Sequence, residues 1–216
     1  MAAGEGRRLR PITERWPKPV LPIDGRPVIV TLLHELAGAG CERAWVVTGY
    51  LAEQVEELVT GCEPGLEIHF VRQPEPLGSV DAVSRALEAG AAPPCLVSAA
   101  DTAYAPGDVG RLAASTQAAI AWRGSPPGAA LELEDGRVRR VPGTGEQFAA
   151  PLWVLTSEVA AHLEGLPGPP FELAGAFQRA IDAGATVLGV GIGSTRDLTE
   201  PADPVRHNFL YLESDD

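Results

Sequence analysis

Lysine is nearly absent from this 216-residue chain: Lys18 stands alone among 17 basic residues, the rest being arginine. Aromatic residues make up 6%, and there is one methionine. Acidic residues outnumber basic ones 29 to 17, a net charge of −12. That balance excludes a nucleic-acid-coating protein, because phosphate backbones demand a basic footprint. The three cysteines, Cys41, Cys62 and Cys95, lie far apart without the CxxC spacing of a zinc or redox site. No apolar run approaches the ~20 residues of a membrane span, and no secretory leader is legible ahead of the first glycines. A cytoplasmic, soluble protein that contacts neither membrane nor nucleic acid is therefore expected, as a monomer or homo-oligomer.

The few cations are concentrated at one end. Residues 1–26 carry Arg7, Arg8, Arg10, Arg15, Lys18 and Arg26 against Glu5, Glu14 and Asp24, for a net charge of +3; the remainder carries −15. A positive patch on an acidic body suits a small, highly charged anion better than a polymer.

Apolar and amphipathic runs alternate along the chain. The spacing predicts helices over 28–39, 51–59, 79–89 (with Ser79 as N-cap), 157–164 and 172–183. Strands are predicted over 44–48, 66–72, 95–100, 149–155 and 186–190. Asp135-Gly136, between 129–134 and 137–141, signals a hairpin. This rhythm places the chain in the α/β class, with a mixed, mostly parallel, Rossmann-like sheet between helical layers. Periodic segments on either side of the Pro/Gly-rich loops are too short to stand alone, so a single domain over 1–216 is expected.

Residues 2–27 read AAGEGRRLRPITERWPKPVLPIDGRP. Five prolines forbid a long helix and predict an extended excursion. The stretch is neither a dinucleotide fingerprint nor a Walker A loop. Gly4 and Gly6, two apart, let backbone N–H groups approach an anion. Arg8 offers a planar fork to phosphate oxygens and Lys18 a point charge. Downstream, Asp101 ends a short apolar strand, where ligands of open α/β sheets bind. It reads either as a turn cap or as a carboxylate for a hard cation. Tyr104 and Asp108, just past that carboxylate, are weaker candidates for a ligand contact, and Trp153 reads as a core aromatic or a pocket residue.

The run AAG-x-G-x-R-L-x-P-I-T, continued by Pro17-Lys18-Pro19-Val20-Leu21-Pro22 and Gly25, resembles the opening of the sugar-1-phosphate nucleotidyltransferases (NDP-sugar pyrophosphorylases). The likeness continues through Val46–Tyr50, Gln73–Ser79 and the strand ending at Asp101. It implies the α/β/α sandwich of the nucleotide-diphospho-sugar transferase type, in its short single-domain form. The implied reaction is attack of a sugar 1-phosphate on the α-phosphorus of an NTP, with Mg²⁺ and release of pyrophosphate. The resemblance further implies that Ala3, Gly4 and Gly6 lie against the nucleotide, and that Arg8 and Lys18 are the catalytic phosphate contacts. Gln73 and Gly78 would read the base, and Asp101 would hold the metal.

The sequence departs from that pattern in four places. The apolar first strand expected before Ala2 is missing, so an upstream start is expected. Arg7 replaces a small residue. Gly191 stands where a second metal carboxylate is usual, and Asp197 matches a later position that is not a ligand. The family's Glu-Lys-Pro is absent, with Arg139 and Arg140 as possible substitutes. These departures keep two alternatives open: a nucleotidyltransferase for a non-sugar phosphate (phosphocholine- or molybdopterin-type), and a non-catalytic nucleotide- or NDP-sugar-binding regulatory module.

Overall fold

The structure, a computed structural model, describes residues 1–209. Positions 210–216 of the expected single domain lie outside the described residues. The proline-rich segment is not simply extended: it makes three single 3₁₀ turns, Arg7–Leu9, Ile12–Glu14 and Lys18–Val20, between its prolines. A two-rung hairpin of β1 (Pro22–Ile23) and β2 (Arg26–Pro27) then leads into α1 (Val28–Gly38). That helix stops where Gly40 takes φ +88°, and Cys41 N–H closes the turn onto Leu36 O at 3.1 Å.

Most of the strands run in one direction, with two opposed to the rest. β3 (Arg43–Thr48) pairs in parallel with β4 (Glu67–Arg72). β5 (Cys95–Ser98) and β7 (Ala118–Arg123) both pair antiparallel with β10 (Gln147–Leu155), so they share a direction, and β11 (Val187–Gly191) is parallel to β7. The hairpin of β8 (Ala130–Glu134) and β9 (Arg137–Arg140) turns at Asp135 and Gly136, φ +51° and +74°, and extends the sheet beyond β11. Two short strands, β6 (Thr102–Ala103) and β12 (Arg196–Asp197), pair separately.

Alternation along the strands feeds two cores. Ile120, Leu155 and Val187 pack with Val80 and Val83 of α3 (Ser79–Glu88), Val159 of α5 (Ser157–Ala160), and Ala176 and Phe177 of α6 (Leu173–Asp182). On the opposite side Ala119, Ala121, Leu152 and Val154 pack with α1, with Val55 and Val59 of α2 (Ala52–Gly61), and with Val109 and Leu112 of α4 (Asp108–Ala113). β7 and α4 escape the periodicity argument, because a short all-apolar run such as AAIAW reads equally as strand or helix. The helix expected over 157–164 ends at Ala160. Ser79 is not an N-cap: Gly78 holds that position, and the Ser79 hydroxyl bonds Glu172 Oε2 (2.9 Å) and Leu173 N–H (2.8 Å) instead.

Between β3 and β5 the backbone ladder is carried only by Met1–Ala3. Ala2 N–H donates to Val47 O (2.7 Å), Tyr50 N–H to Ala3 O (3.2 Å) and Ala100 N–H to Met1 O (2.9 Å), while the Met1 ammonium donates to Ser98 O (2.8 Å). Burial pushes that ammonium down to about 6. Beyond Met1 the two strands diverge from a mostly apolar slot of about 510 Å³, lined by Leu33, Trp45, Val46, Val83, Leu96 and Val97 among others.

The α1 residue Glu35 has Oε2 buried without a partner. Burial, followed by the nearby Asp108 carboxylate, raises its pKa from 4.5 to about 7. The folded form therefore binds a proton that the unfolded form has released between those values. The associated stability is complete below about pH 4.5 and lost as pH rises through 7. Glu35→Gln should match the parent near pH 4.5 and exceed it at pH 8 by on the order of 1–2 kcal/mol, measured by urea denaturation at both pH values.

Candidate active site

A cleft of about 660 Å³ opens where the N-terminal loop meets the carboxyl end of β5. Its walls contain eight of the residues named above as site candidates: Ala3, Gly4, Gly6, Arg8, Lys18, Gln73, Gly78 and Asp101. Residues separated by nearly a hundred positions therefore share one cavity.

The loop's cations have different partners. The Arg7 guanidinium is spent on Glu5 (2.6 and 3.1 Å), and Arg10 also approaches Glu5 (3.7 Å). Arg8, exposed between them, has no protein partner among the described residues and keeps its full set of donors for a ligand. Lys18, lifted by its 3₁₀ turn, donates directly to Asp101 Oδ2, with both side chains about three-quarters or more buried. Asp101 is itself positioned from two sides. The Met1–Ala2 bridge holds its predecessor Ala100, and Leu198 N–H approaches its carbonyl at 3.5 Å.

The glycines divide by physical need. Gly6 sits at φ +61°, and a Cβ there would stand 2.9 Å from Thr13 Cγ2, while the Thr13 hydroxyl bonds Gly6 O at 2.9 Å; its constraint is internal. Gly78, at φ +112°, is pressed against the Phe171 backbone, where a Cβ would approach N and O within 2.5 Å. The close approach read for it is thus to its own chain. Gly4 has nothing within 4 Å of a built Cβ and an ordinary φ, so only a ligand in the cleft would object to a side chain.

Three features were not legible locally. Glu172 lines the cleft from the far wall, held by Ser79, 93 residues away. Leu198 and Thr199 close another side. Asp81, on the first turn of α3, receives a hydrogen bond from the Gln73 amide at 2.8 Å. Neither separation nor residue type marks these positions in advance.

Other candidates are employed elsewhere. Tyr104 is buried, its hydroxyl bonded to Ser98 Oγ (3.0 Å) and Pro151 O (2.9 Å). Asp108 is buried at the start of α4, accepting from Gly193 N–H (2.9 Å) and pairing with Arg111 (3.0 Å). Trp153 packs against the core, and its indole N–H is buried without a partner. Arg139 and Arg140 lie on β9 facing Glu134 and Glu132, outside the cleft lining.

The second carboxylate position is closed. A Cβ at Gly191 would stand 3.1 Å from the Trp122 indole, and Gly191 O already accepts from Arg111 (2.9 Å). Asp197 is consumed by Arg123 (2.6 Å), Thr102 (2.7 Å) and Thr195 (3.0 Å). Among the described residues no group of three or more His, Cys, Asp or Glu side chains is arranged to hold a metal. One carboxylate beside a phosphate cradle still fits Mg²⁺, which keeps water and phosphate oxygens in most of its coordination shell.

A glycine-opened loop with an exposed guanidinium, and a lysine–carboxylate pair at a strand's carboxyl end, share this cleft of an α/β protein. The chain belongs to the family described as the MobA-like NTP transferase domain, whose model matches residues 1–175. It is 43% identical over 76 residues to the CMP-5'-(3-aminopropyl)phosphonate synthase of Streptomyces rubellomurinus, covering 35% of this chain and 12% of that protein. It is 50% identical over 54 residues to the 2-aminoethylphosphonate cytidylyltransferase of Lancefieldella rimae (25% and 22%). With the mannose-1-phosphate guanylyltransferase of Mycobacterium tuberculosis the identity is 40% over 80 residues (37% and 22%). The matched stretches thus span about a quarter or less of these relatives' lengths. Among solved structures, UDP-glucose pyrophosphorylase from Acinetobacter baumanii superposes with TM-score 0.81 at 21% identity, covering 99% of this chain and 92% of the other. The inositol-1-phosphate CTP transferase from T. maritima gives 0.80 at 20% identity, covering 94% and 88%. These likenesses establish the nucleotidyltransferase fold, a mixed α/β arrangement.

No helix among the described residues is long and apolar enough to cross a membrane.

Gly4→Ala should leave the thermal midpoint unchanged within about 2 °C, since no protein atom opposes the methyl group. It should weaken nucleoside triphosphate binding roughly tenfold by crowding the ligand's approach. Calorimetric titration beside a thermal melt reads both.

Proposed function

We propose that this protein is a nucleotidyltransferase joining an NTP to a phosphorylated small molecule, a sugar 1-phosphate in the first instance, with release of pyrophosphate. The observation that carries this reading is the convergence of Arg8, Lys18 and Asp101 on one cleft with Gly4 open to it. Such transfer needs in-line positioning and charge neutralisation more than acid–base chemistry. Arg8 supplies a fork for phosphate oxygens and Lys18 a charge beside the reacting phosphates, while Ala3, Gly4 and Gly6 bring backbone against the nucleotide. Asp101 would hold Mg²⁺, which when bound neutralises charge on the triphosphate and leaving group. Lys18 occupies Asp101 here, so a triphosphate entering the cleft draws the ammonium away and leaves the carboxylate for the cation.

The relatives' names favour a second acceptor. Two of them are named for aminoalkylphosphonates. The exposed Glu172 carboxylate on the far wall gives an ammonium group a partner. Incubating the protein with Mg²⁺, each NTP, and a panel of sugar 1-phosphates, phosphocholine and 2-aminoethylphosphonate, while following pyrophosphate release, identifies the acceptor. No release with any pair, despite NTP binding, would leave a binding module.

Asp101→Asn should lower turnover by on the order of 10²–10³ without unfolding the chain. Unchanged turnover at saturating Mg²⁺ would remove Asp101 from the reaction. Lys18→Ala should raise the NTP dissociation constant roughly tenfold, and an unaltered value would count against its phosphate role.

The sandwich reading extends to the slot between β3 and β5. Ala2 pairs in parallel with Thr48, so a segment running back from Met1 would meet Val46 through Arg43 on one side and β5 on the other. A strand there would satisfy both edges and remove the buried ammonium. Adding five alternating apolar residues before Met1 should raise the melting temperature by roughly 5 °C or more. The same extension interrupted by proline should not, and equal effects would rule out strand pairing.

A further inference from the structure

Two routes join the Lys18 loop to the Asp101 strand. The first is the ion pair between the two side chains. The second uses residues 196–208, which lie beyond the stretch 1–175 that the family model matches. β12 pairs with β6, the strand that follows Asp101, and the Asp197 carboxylate secures that pairing to Thr102 and to buried Arg123. From this base Arg196 extends both guanidinium arms to the Asp24 carboxylate, at 2.6 and 2.5 Å. The Arg196 hydrogen bond is the main cause holding Asp24 below the usual carboxylate range. Farther on, past α7 (Asp203–Arg206), His207 O accepts from Asp24 N–H at 3.2 Å. The Asn208 amide engages the same turn with both of its ends. Its Oδ1 accepts from Gly25 N–H (2.6 Å), and its Nδ2 donates to Pro22 O (2.8 Å) and Pro204 O (2.6 Å).

The clasped turn is the tip of the β1–β2 hairpin, whose two rungs are too few to order it alone. The hairpin is continuous with the Lys18 turn. Leu21 N–H closes that turn onto Lys18 O (3.1 Å), and Leu21 O accepts from Val28 N–H at the hairpin's far end (3.0 Å). Leu21, Ile23 and Val28 pack with Leu9 and with Leu198 of the tail in a small core of their own. Where the tail holds the hairpin, the Lys18 turn is held with it. In the free protein the Lys18–Asp101 pair duplicates this linkage. A triphosphate that draws Lys18 from Asp101 removes the first route and leaves the clasp and its small core to fix the loop. We infer that Arg196 and Asn208 are positioning residues, whose clasp on the Asp24–Gly25 turn keeps Lys18 in place while its ammonium serves a triphosphate. The inference rests on the nucleotidyltransferase reading above. Neither residue lines the cleft, so both act through the hairpin.

The test is equilibrium binding of CTP, UTP, ATP and GTP to the full chain with Mg²⁺, followed on whichever binds most tightly. The double variant Arg196→Ala/Asn208→Ala should raise that dissociation constant roughly tenfold. Its melting temperature should fall by no more than about 4 °C, because the Arg196–Asp24 pair is exposed and the free protein keeps the Lys18–Asp101 link. In a Lys18→Ala background the same two substitutions should change the constant by less than about twofold, since the clasp acts through Lys18. General loosening of the cleft would weaken binding equally in both backgrounds. Should the double variant unfold, Asp24→Asn reads the same link with the tail intact, because Asn tolerates the φ of +54° at this position. It should cost roughly threefold in affinity. Parent-like affinity in the folded double variant or in Asp24→Asn overturns the inference, as does an equal loss with and without Lys18. Failure of the parent to bind any of the four nucleotides strikes the underlying reading instead.

Discussion

The contact between Lys18 and Asp101 organises the functional end of this molecule. It ties the proline-rich loop to the carboxyl end of β5 across 83 positions. Both groups are largely withdrawn from solvent, where an unpaired charge is expensive. The lysine is the only one in the chain, and its flexible stem and compact ammonium permit exchange of one anionic partner for another. An arginine fork would be held more rigidly by the same carboxylate. The pair is thus a structural closure between the loop and the sheet.

Around it, the cation-rich loop resolves into charges with distinct employment. Glu5 pairs with Arg7 and Arg10, and Arg8 has no protein partner among the described residues. The glycines show a similar division, with Gly6 and Gly78 required by the chain's own packing and Gly4 open to the cleft. Two glycines that look alike in a motif therefore make different physical demands. Met1–Ala3 bridges β3 and β5 and also lines the cleft.

The departures from the sugar-nucleotidyltransferase pattern have structural consequences. An Asp at 191 would bring its Cβ to 3.1 Å from the Trp122 indole, a tight contact that asks the ring to give by a few tenths of an ångström. Asp197, the nearby acid, is held by buried Arg123, and its strand pairs with the one immediately following Asp101. That carboxylate serves the architecture behind the site. The result is a cleft lined by Asp101 and Glu172, with the Gln73 amide bonded to Asp81 beside it.

Local chemistry in the sequence determined a great deal. Proline spacing excluded a helix before residue 28, alternation placed β3 and β4, and Asp135-Gly136 placed a hairpin. The run from Ala3 to Lys18, with Gln73, Gly78 and Asp101, marked the residues that line one cleft. Gly4, Gly6, Arg8, Lys18 and Asp101 stood out by local residue type, because backbone freedom and charge are written residue by residue, whereas Ala3, Gln73 and Gly78 came from the family resemblance. Tertiary structure decided what depends on distant atoms. It left Arg8 without a protein partner among the described residues while Arg7 pairs with Glu5, sent Ser79 to Glu172 instead of to a helix cap, buried Tyr104, partly buried Trp153, and set the partners of the Gln73 amide nitrogen. A side chain's remaining hydrogen-bonding capacity is set by neighbours that only folding supplies, and no spacing rule carries that information.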